Sequence, residues 1–219
     1  MIFKNVKATT GILGFDTNTK LTNDLSKKFY DYGFGFCLRY LSRSPEPDYD
    51  LTADEANQIM DGGLSLMAVQ HVRAGNWIPT AALGTQDGTM AASNAALAKL
   101  PAGINIWCDL EAITDTTPAT DIIAYCTNWY NAVSKAGYIP GLYVGYQSIL
   151  VSAQLYALPF ISFWRSQSNV PNVGSRGYQM IQLFAEIELF GVKLDVDVTQ
   201  SDFKNSQVTW VTKIESVNP

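Results

Sequence analysis

The sequence predicts a single (β/α)8 barrel of the TIM type, modified by abbreviated last helices, and three observations carry that expectation. Strand-like and helix-like stretches alternate from end to end, without a linker or a low-complexity segment. Eight strands can be marked, most of them separated by a helix, the pattern of a parallel sheet closed on itself. No strand is followed by the glycine-rich phosphate turn of an open doubly wound sheet, the competing architecture. One domain is expected over 1–219, with its core at about 11–203.

The first strand is GILGFD (11–16), ending in Asp16, and a helix follows from about Asn23 to Tyr32, capped by Thr22 or Asn23 and stopped by Gly33. FGFCLRY (34–40) is the second strand. LTADEANQIMDGG (51–63) is a helix whose Thr52 and Glu55 form a capping box. LSLMAVQH (64–71) is the third strand, and the alanine-rich stretch 85–100 is the next helix. INIWCDLE (104–111) is the fourth strand; alternation puts Ile104, Ile106, Cys108 and Leu110 on one side and Asn105, Trp107, Asp109 and Glu111 on the other. Pro118 opens a helix that ends at Gly137. GLYVGY (141–146), PFISFW (159–164), YQMIQLF (178–184) and VKLDVDV (192–198) complete the eight, with a short helix after the fifth. The tail around Trp210 and Val211 carries no clear assignment.

Composition narrows the function classes. Net charge is −5 with no block of Lys or Arg, which removes the footprint of a nucleic-acid binder. No run is long enough for a membrane span, and the first fifteen residues lack the pattern of a secretory signal. Cys37, Cys108 and Cys126 sit in apolar patterns with no metal-ligand spacing, so they read as buried free thiols. With one histidine, His71, and no GxSxG, a nucleophilic triad has no support. No cofactor and no metal are expected.

In a barrel, chemistry gathers at the C-terminal ends of the strands. Here those ends are Asp16, Arg39, Gln70 or His71, Asp109 with Glu111, Tyr143 or Tyr146, Trp164 or Arg165, Gln182, and Asp195 with Asp197. Carboxylates crowded in one mouth raise the pKa of at least one of them, and an acid kept protonated near neutral pH is what glycoside cleavage needs. An acid after a strand is also an ordinary helix cap or turn former, which is the alternative for Asp16, Asp195 and Asp197. The pair Asp109 and Glu111 is harder to explain that way, because inward-facing acids carry a desolvation cost. Arg39 can serve simply to neutralise acids.

These motifs, GFD at 14–16, the DLE of 109–111, GLYVGY at 141–146, FW at 163–164 and GVKLDVDV at 191–198, resemble in order and spacing the glycoside hydrolase family 25 lysozymes. The chain is more similar still to a bacterial glycoside hydrolase-like domain family of unknown function related to them, whose RY after the second strand appears as Arg39-Tyr40. The resemblance implies a modified (β/α)8 barrel acting on the N-acetylmuramic acid to N-acetylglucosamine linkage of peptidoglycan. It also implies Glu111 as general acid, Asp16, Asp109 and Asp195 as surrounding carboxylates, and Tyr143 or Tyr146 with Trp164 lining the sugar cleft.

Spacing adds a mechanistic expectation. Asp109 and Glu111 lie on the same side of one strand, about 7 Å apart along the chain, whereas a displacement pair flanks the glycosidic bond from opposite sides. A substrate-assisted route fits better: the 2-acetamido group attacks while Asp109 orients it. The remaining candidates, Arg39, Gln70, His71, Tyr143, Tyr146, Trp164, Gln182 and Asp197, are expected to contact substrate. The competing function is a carbohydrate-binding or interaction module on the same barrel; a metal-dependent hydrolase is third. Synthesis in the cytoplasm without a signal peptide is expected, with phage lysis or a dedicated secretion system as the route to the wall.

Overall fold

A computed structural model describes residues 2–43, 49–71 and 73–214. In chain order the elements are β1 (Ile2–Lys7), β2 (Leu13–Thr17), α1 (Asn23–Tyr32), β3 (Phe36–Leu41), α2 (Ala53–Asp61), β4 (Ser65–Gln70), α3 (Ala81–Leu97) and β5 (Asn105–Leu110). They continue with α4 (Ala119–Lys135), β6 (Ile139–Val144), α5 (Ser152–Ala157), β7 (Ser162–Arg165), β8 (Met180–Leu189), β9 (Val192–Thr199) and β10 (Thr209–Ile214). Strands run β4-β3-β2-β9-β8-β7-β6-β5 around a ring that the β4–β5 pairing closes, the predicted eight-stranded barrel. Helices follow β2 to β6 only; β7 to β8 is an irregular connection and β8 to β9 a tight turn.

That turn corrects the direction expected of the last barrel strand. Only Phe190 and Gly191, both at positive φ, separate β8 from β9. A two-residue link makes an antiparallel hairpin and cannot make a parallel crossover. β9 is accordingly antiparallel to both β8 and β2. Asp195, in its first half, reaches the mouth opposite Asp16, and Asp197 lies one layer deeper, opposite Gly14.

The barrel wall separates two apolar layers. Phe36, Leu38, Met67, Val69, Trp107, Trp164 and Met180 point inward. Cys37, Leu41, Leu66, Ala68, Ile106 and Cys108 face the helices. The alternation predicted for 104–111 holds, with Ile104, Ile106, Cys108 and Leu110 in the outer layer and Trp107 in the inner one. All three cysteines are buried free thiols.

The unassigned tail forms part of the barrel floor. β10 pairs antiparallel with β1, and Val211 bridges to Leu66 at the start of β4. Trp210 stacks on Phe36 with ring centroids 5.3 Å apart, and Ala8 and Val208 are buried beside it. The lower end of the barrel is thereby plugged with apolar side chains.

Local signals in the helices are partly as predicted. Thr22 caps α1, and Gly33, at φ 113°, ends it. α3 starts earlier than its alanine run suggests, because Thr80 accepts from the Leu83 N–H and sets the first turn. The capping box at α2 is only half formed. Thr52 Oγ1 accepts from Glu55 N at 3.2 Å, but the Glu55 carboxylate turns inward to Arg39 Nε at 2.6 Å and to Leu21 N at 2.9 Å. No helix among the described residues is long and apolar enough to cross a membrane.

Candidate active site

Inward side chains at the upper ends of the strands enclose a chamber of about 60 Å³. Asp16, Tyr40, Asp109 and Tyr143 line it, together with Trp164, Gln182, Asp195 and, just past β5, Glu111. It has room for a few water molecules and none for a sugar ring. Above it opens a shallower groove of about 470 Å³, bordered by Asn18, Tyr40, His71, Glu186 and Lys193. Asp16 and Asp195 belong to both spaces.

Gln182 ties the acids together. Its Nε2 donates to Asp195 Oδ2 at 2.8 Å and to Asp16 Oδ2 at 3.3 Å, while its Oε1 accepts from the Tyr143 hydroxyl at 3.1 Å. The carboxylates, which only accept when ionised, thus draw the amide NH2 toward themselves and leave Oε1 to the tyrosine hydroxyl. Tyr40 donates to Asp16 Oδ1 at 2.6 Å, and the Glu186 N–H donates to Asp195 Oδ1 at 2.7 Å. Beneath them, Trp164 Nε1 donates to Asp197 Oδ1 at 2.9 Å.

Burial pushes the Asp16 carboxyl up to about 7, with the Asp195 charge adding to the rise and the hydrogen bonds from Tyr40 and Gln182 opposing it. Burial likewise raises Asp195, against its hydrogen bond from Glu186. Glu111 is raised by burial first and by the Asp195 charge second, partly offset by the Tyr146 N–H that donates to its carboxylate. Its backbone is held separately, by Trp77 Nε1 donating to the Glu111 carbonyl at 2.8 Å. A carboxyl raised in this way is suited to deliver a proton.

Gly145 shapes the same corner. A Cβ there would lie 2.4 Å from the Glu111 Cβ and Oε2 and 2.8 Å from the Tyr143 ring. Only a residue without a side chain lets Glu111 lie across the start of the loop after β6.

The sequence-predicted candidates separate by position. Glu111, Asp109, Asp16, Asp195, Tyr143, Trp164 and Gln182 meet at the chamber, and His71 borders the groove, its ring 4.9 Å from that of Tyr40. Tyr146 stands exposed at the rim, and Asp197 lies wholly buried below the chamber.

Arg39 and Gln70 are not at the mouth. Arg39 points outward under α2, where it bonds Glu55 and the carbonyls of Thr17 and Tyr49. The acid it neutralises is therefore Glu55. Gln70 also points outward, donating to the Asp87 carbonyl and accepting from Trp129 Nε1, both at 2.8 Å. Tyr40, the neighbour of Arg39, is the mouth residue that strand-end reasoning overlooked, and Gly145 is the other. Among the described residues, no group of three or more His, Cys, Asp or Glu is arranged to hold a metal ion.

Residues 27–198 match the family described as "Rv2525c-like, glycoside hydrolase-like domain". The chain belongs to this family. The matched span contains every chamber residue except Asp16. No curated protein matches the sequence. Solved structures similar to this family member include the Mycobacterium tuberculosis Tat-secreted protein Rv2525c in complex with L-tartrate. It is 16% identical with a TM-score of 0.66, covering 88% of this chain and 97% of that one. The catalytic domain of endolysin ply40 from bacteriophage P40 of Listeria monocytogenes is 14% identical with a TM-score of 0.64, covering 89% and 95%. The modular autolysin LytC from Streptococcus pneumoniae in complex with a synthetic peptidoglycan ligand is 14% identical with a TM-score of 0.63, covering 89% of this chain and 48% of that one. At these identities the likeness is one of fold: a barrel shared with lysozymes, endolysins and autolysins.

Proposed function

We propose that the protein is a muramidase-like glycoside hydrolase acting on peptidoglycan-type N-acetylated glycans, with Glu111 as general acid. The observation that carries this reading is the Glu111 carboxyl itself, raised by burial and by Asp195 and set at the edge of an acid-lined chamber under an open groove. The glycan lies along the groove, and the chamber below holds water and the charges that meet the reacting centre.

Asp109, on β5, and Glu111, just past its end, line the same side of the chamber, so Asp109 does not attack the anomeric carbon from the opposite face. In the proposed mechanism Glu111 protonates the glycosidic oxygen. The substrate's own 2-acetamido oxygen bonds to the anomeric carbon as the leaving sugar departs, and Asp109 stabilises the positive charge on the acetamido group. Water then opens that intermediate, and Glu111 recovers its proton. Tyr143 and Trp164 wall the chamber, and His71 and Tyr146 stand at the groove and the rim. The peptidoglycan ligand bound by LytC and the export of Rv2525c support a cell-wall substrate and delivery to the wall.

The test is incubation with purified peptidoglycan and mass spectrometry of the soluble products. Fragments ending in reducing N-acetylmuramic acid are expected. Glu111→Gln should slow their release about 10²–10⁴-fold, the usual worth of a general acid, while leaving glycan binding in place. Full activity of Asp109→Asn would sink the substrate-assisted route. Binding by the wild type without any fragment release would replace the hydrolase with a carbohydrate-binding module.

A further inference from the structure

We infer that Asp197 is a neutral acid that donates its proton to Asp16, so that the two buried carboxyls together carry one negative charge. Asp197 is then a positioning residue, which holds the ionised Asp16 in place from below the chamber.

The geometry leaves few alternatives. Asp197 is wholly buried, opposite Gly14 on β2 and Gln182 on β8. Trp164 Nε1 satisfies its Oδ1, but among the described residues no N–H or O–H donor reaches its Oδ2. Asp16 is its diagonal neighbour across the β2–β9 seam, on the same inward face, within reach of the unpartnered Oδ2. Two ionised carboxylates are both acceptors, so the pair can bond only when one of them carries a proton. Asp16 already receives a donor on each oxygen, from Tyr40 and from Gln182, which is the environment of an anion. Asp197 receives one donor in total. The proton therefore belongs on Asp197 Oδ2, pointing at Asp16.

The surrounding charges agree. Tyr40 on β3, Asp109 on β5, Tyr143 on β6 and Trp164 on β7 face the pair across the barrel, with Gln182 on β8 and Asp195 on β9 beside it. Glu111 adds another acid to the chamber, Lys193 and His71 border only the groove above it, and Arg39 is turned away to Glu55. Two adjacent full charges at this depth would have nothing to offset their repulsion. Burial, followed by the Asp16 charge, raises Asp197 well above the ordinary aspartate range.

The consequence for glycan cleavage, a fixed and singly charged floor to the chamber, rests on the hydrolase reading. The protonation does not, and its tests use no hydrolysis. At about pH 8 the infrared difference spectrum, wild type minus Asp197→Asn, should show one carboxylic-acid C=O stretch. Asparagine keeps both an acceptor for Trp164 and a donor for Asp16, so this variant should fold with a Tm at about pH 7 that is 2–4 °C above wild type. The gain follows from linkage. The folded state holds a proton that the unfolded chain releases above its pKa of about 3.9, so wild-type stability falls as pH rises past that value. The Tm gap should close toward pH 4, where both states keep the proton. Asp197→Leu, which provides no donor, should lower Tm. Asp16→Asn should also lower it, because its amide donors would face the donors of Tyr40 and Gln182. A difference spectrum with no acid band would overturn the inference. So would the reverse order of stability, with Asp16→Asn tolerated and Asp197→Asn not.

Discussion

The two ends of the barrel are made from the same strands and are chemically opposite. On β3, Phe36 lies at the floor and Tyr40 at the mouth; on β5, Asn105 and Trp107 lie below Asp109. At the floor, Trp210, Val208 and Ala8 close the barrel by apolar contact. At the mouth, the space is held by hydrogen bonds among acids, an amide and tyrosine hydroxyls. Burial at the floor stabilises, whereas burial at the mouth opposes the ionisation of the groups placed there. The fold is secured at one end, and desolvated acids can therefore be tolerated at the other.

Substitutions can break that contrast from either side. The largest effect is expected at the floor, where Trp210→Ala should cost about 3–5 kcal/mol in chemical denaturation, in the range for a buried tryptophan. Its glycan binding at the mouth should be unchanged at temperatures where it remains folded. Gly145→Ala should act the other way. The added methyl displaces Glu111, so release of peptidoglycan fragments should fall about 10²-fold, the scale of an ångström's misplacement, at a cost of about 1–3 kcal/mol in stability, the range for overpacking. Wild-type rates in Gly145→Ala would mean that Glu111 does not have to lie where it does. The smallest effect is a pH slope. Asp16 titrates from about 7 in the folded protein, against 3.8 for an unperturbed aspartate. As pH falls through about 7 the pair of Asp16 and Asp197 takes up a second proton, on Asp16, and this contribution to stability is complete below 3.8 and lost as pH rises to about 7. Measured as a Tm difference, wild type should lose ground to Asp16→Asn across that window; a gain would contradict the assignment of Asp16 as a raised acid.

What could be read from sequence followed the contrast between strand faces. In 104–111 one side is apolar and the other ends in two acids, so alternation assigned inside and outside together. In 36–41 both sides are apolar until the end, as in any strand buried on both faces, and the phase is open. Arg39 and Tyr40 represent two phases of β3 that the pattern does not separate. Gln70 shares that ambiguity. Glu55 has the spacing of a capping-box partner, and only the buried guanidinium of Arg39, brought near by the tertiary fold, draws it inward. β8 continues beyond the barrel into a half-exposed hairpin arm with irregular register, so its second half carries no period to follow, and the turn at Phe190-Gly191 went unrecognised. The floor strands were invisible for a related reason: their pairing is with each other, across almost the whole sequence.

The seam between β2 and β9 has a consequence for how the molecule folds. Gln182 and Asp16 are bonded across 166 residues of chain, and neither Asp195 nor Asp197 meets Asp16 until β9 seats against β2. Contacts so distant in sequence form only after a large loss of chain entropy. The acid chamber is therefore among the last features to be assembled, and any intermediate that lacks the seam has no site. On the proposed reading a glycan at the mouth would contact both edges of that seam, and it should then slow global unfolding rather than merely quiet the loops around it.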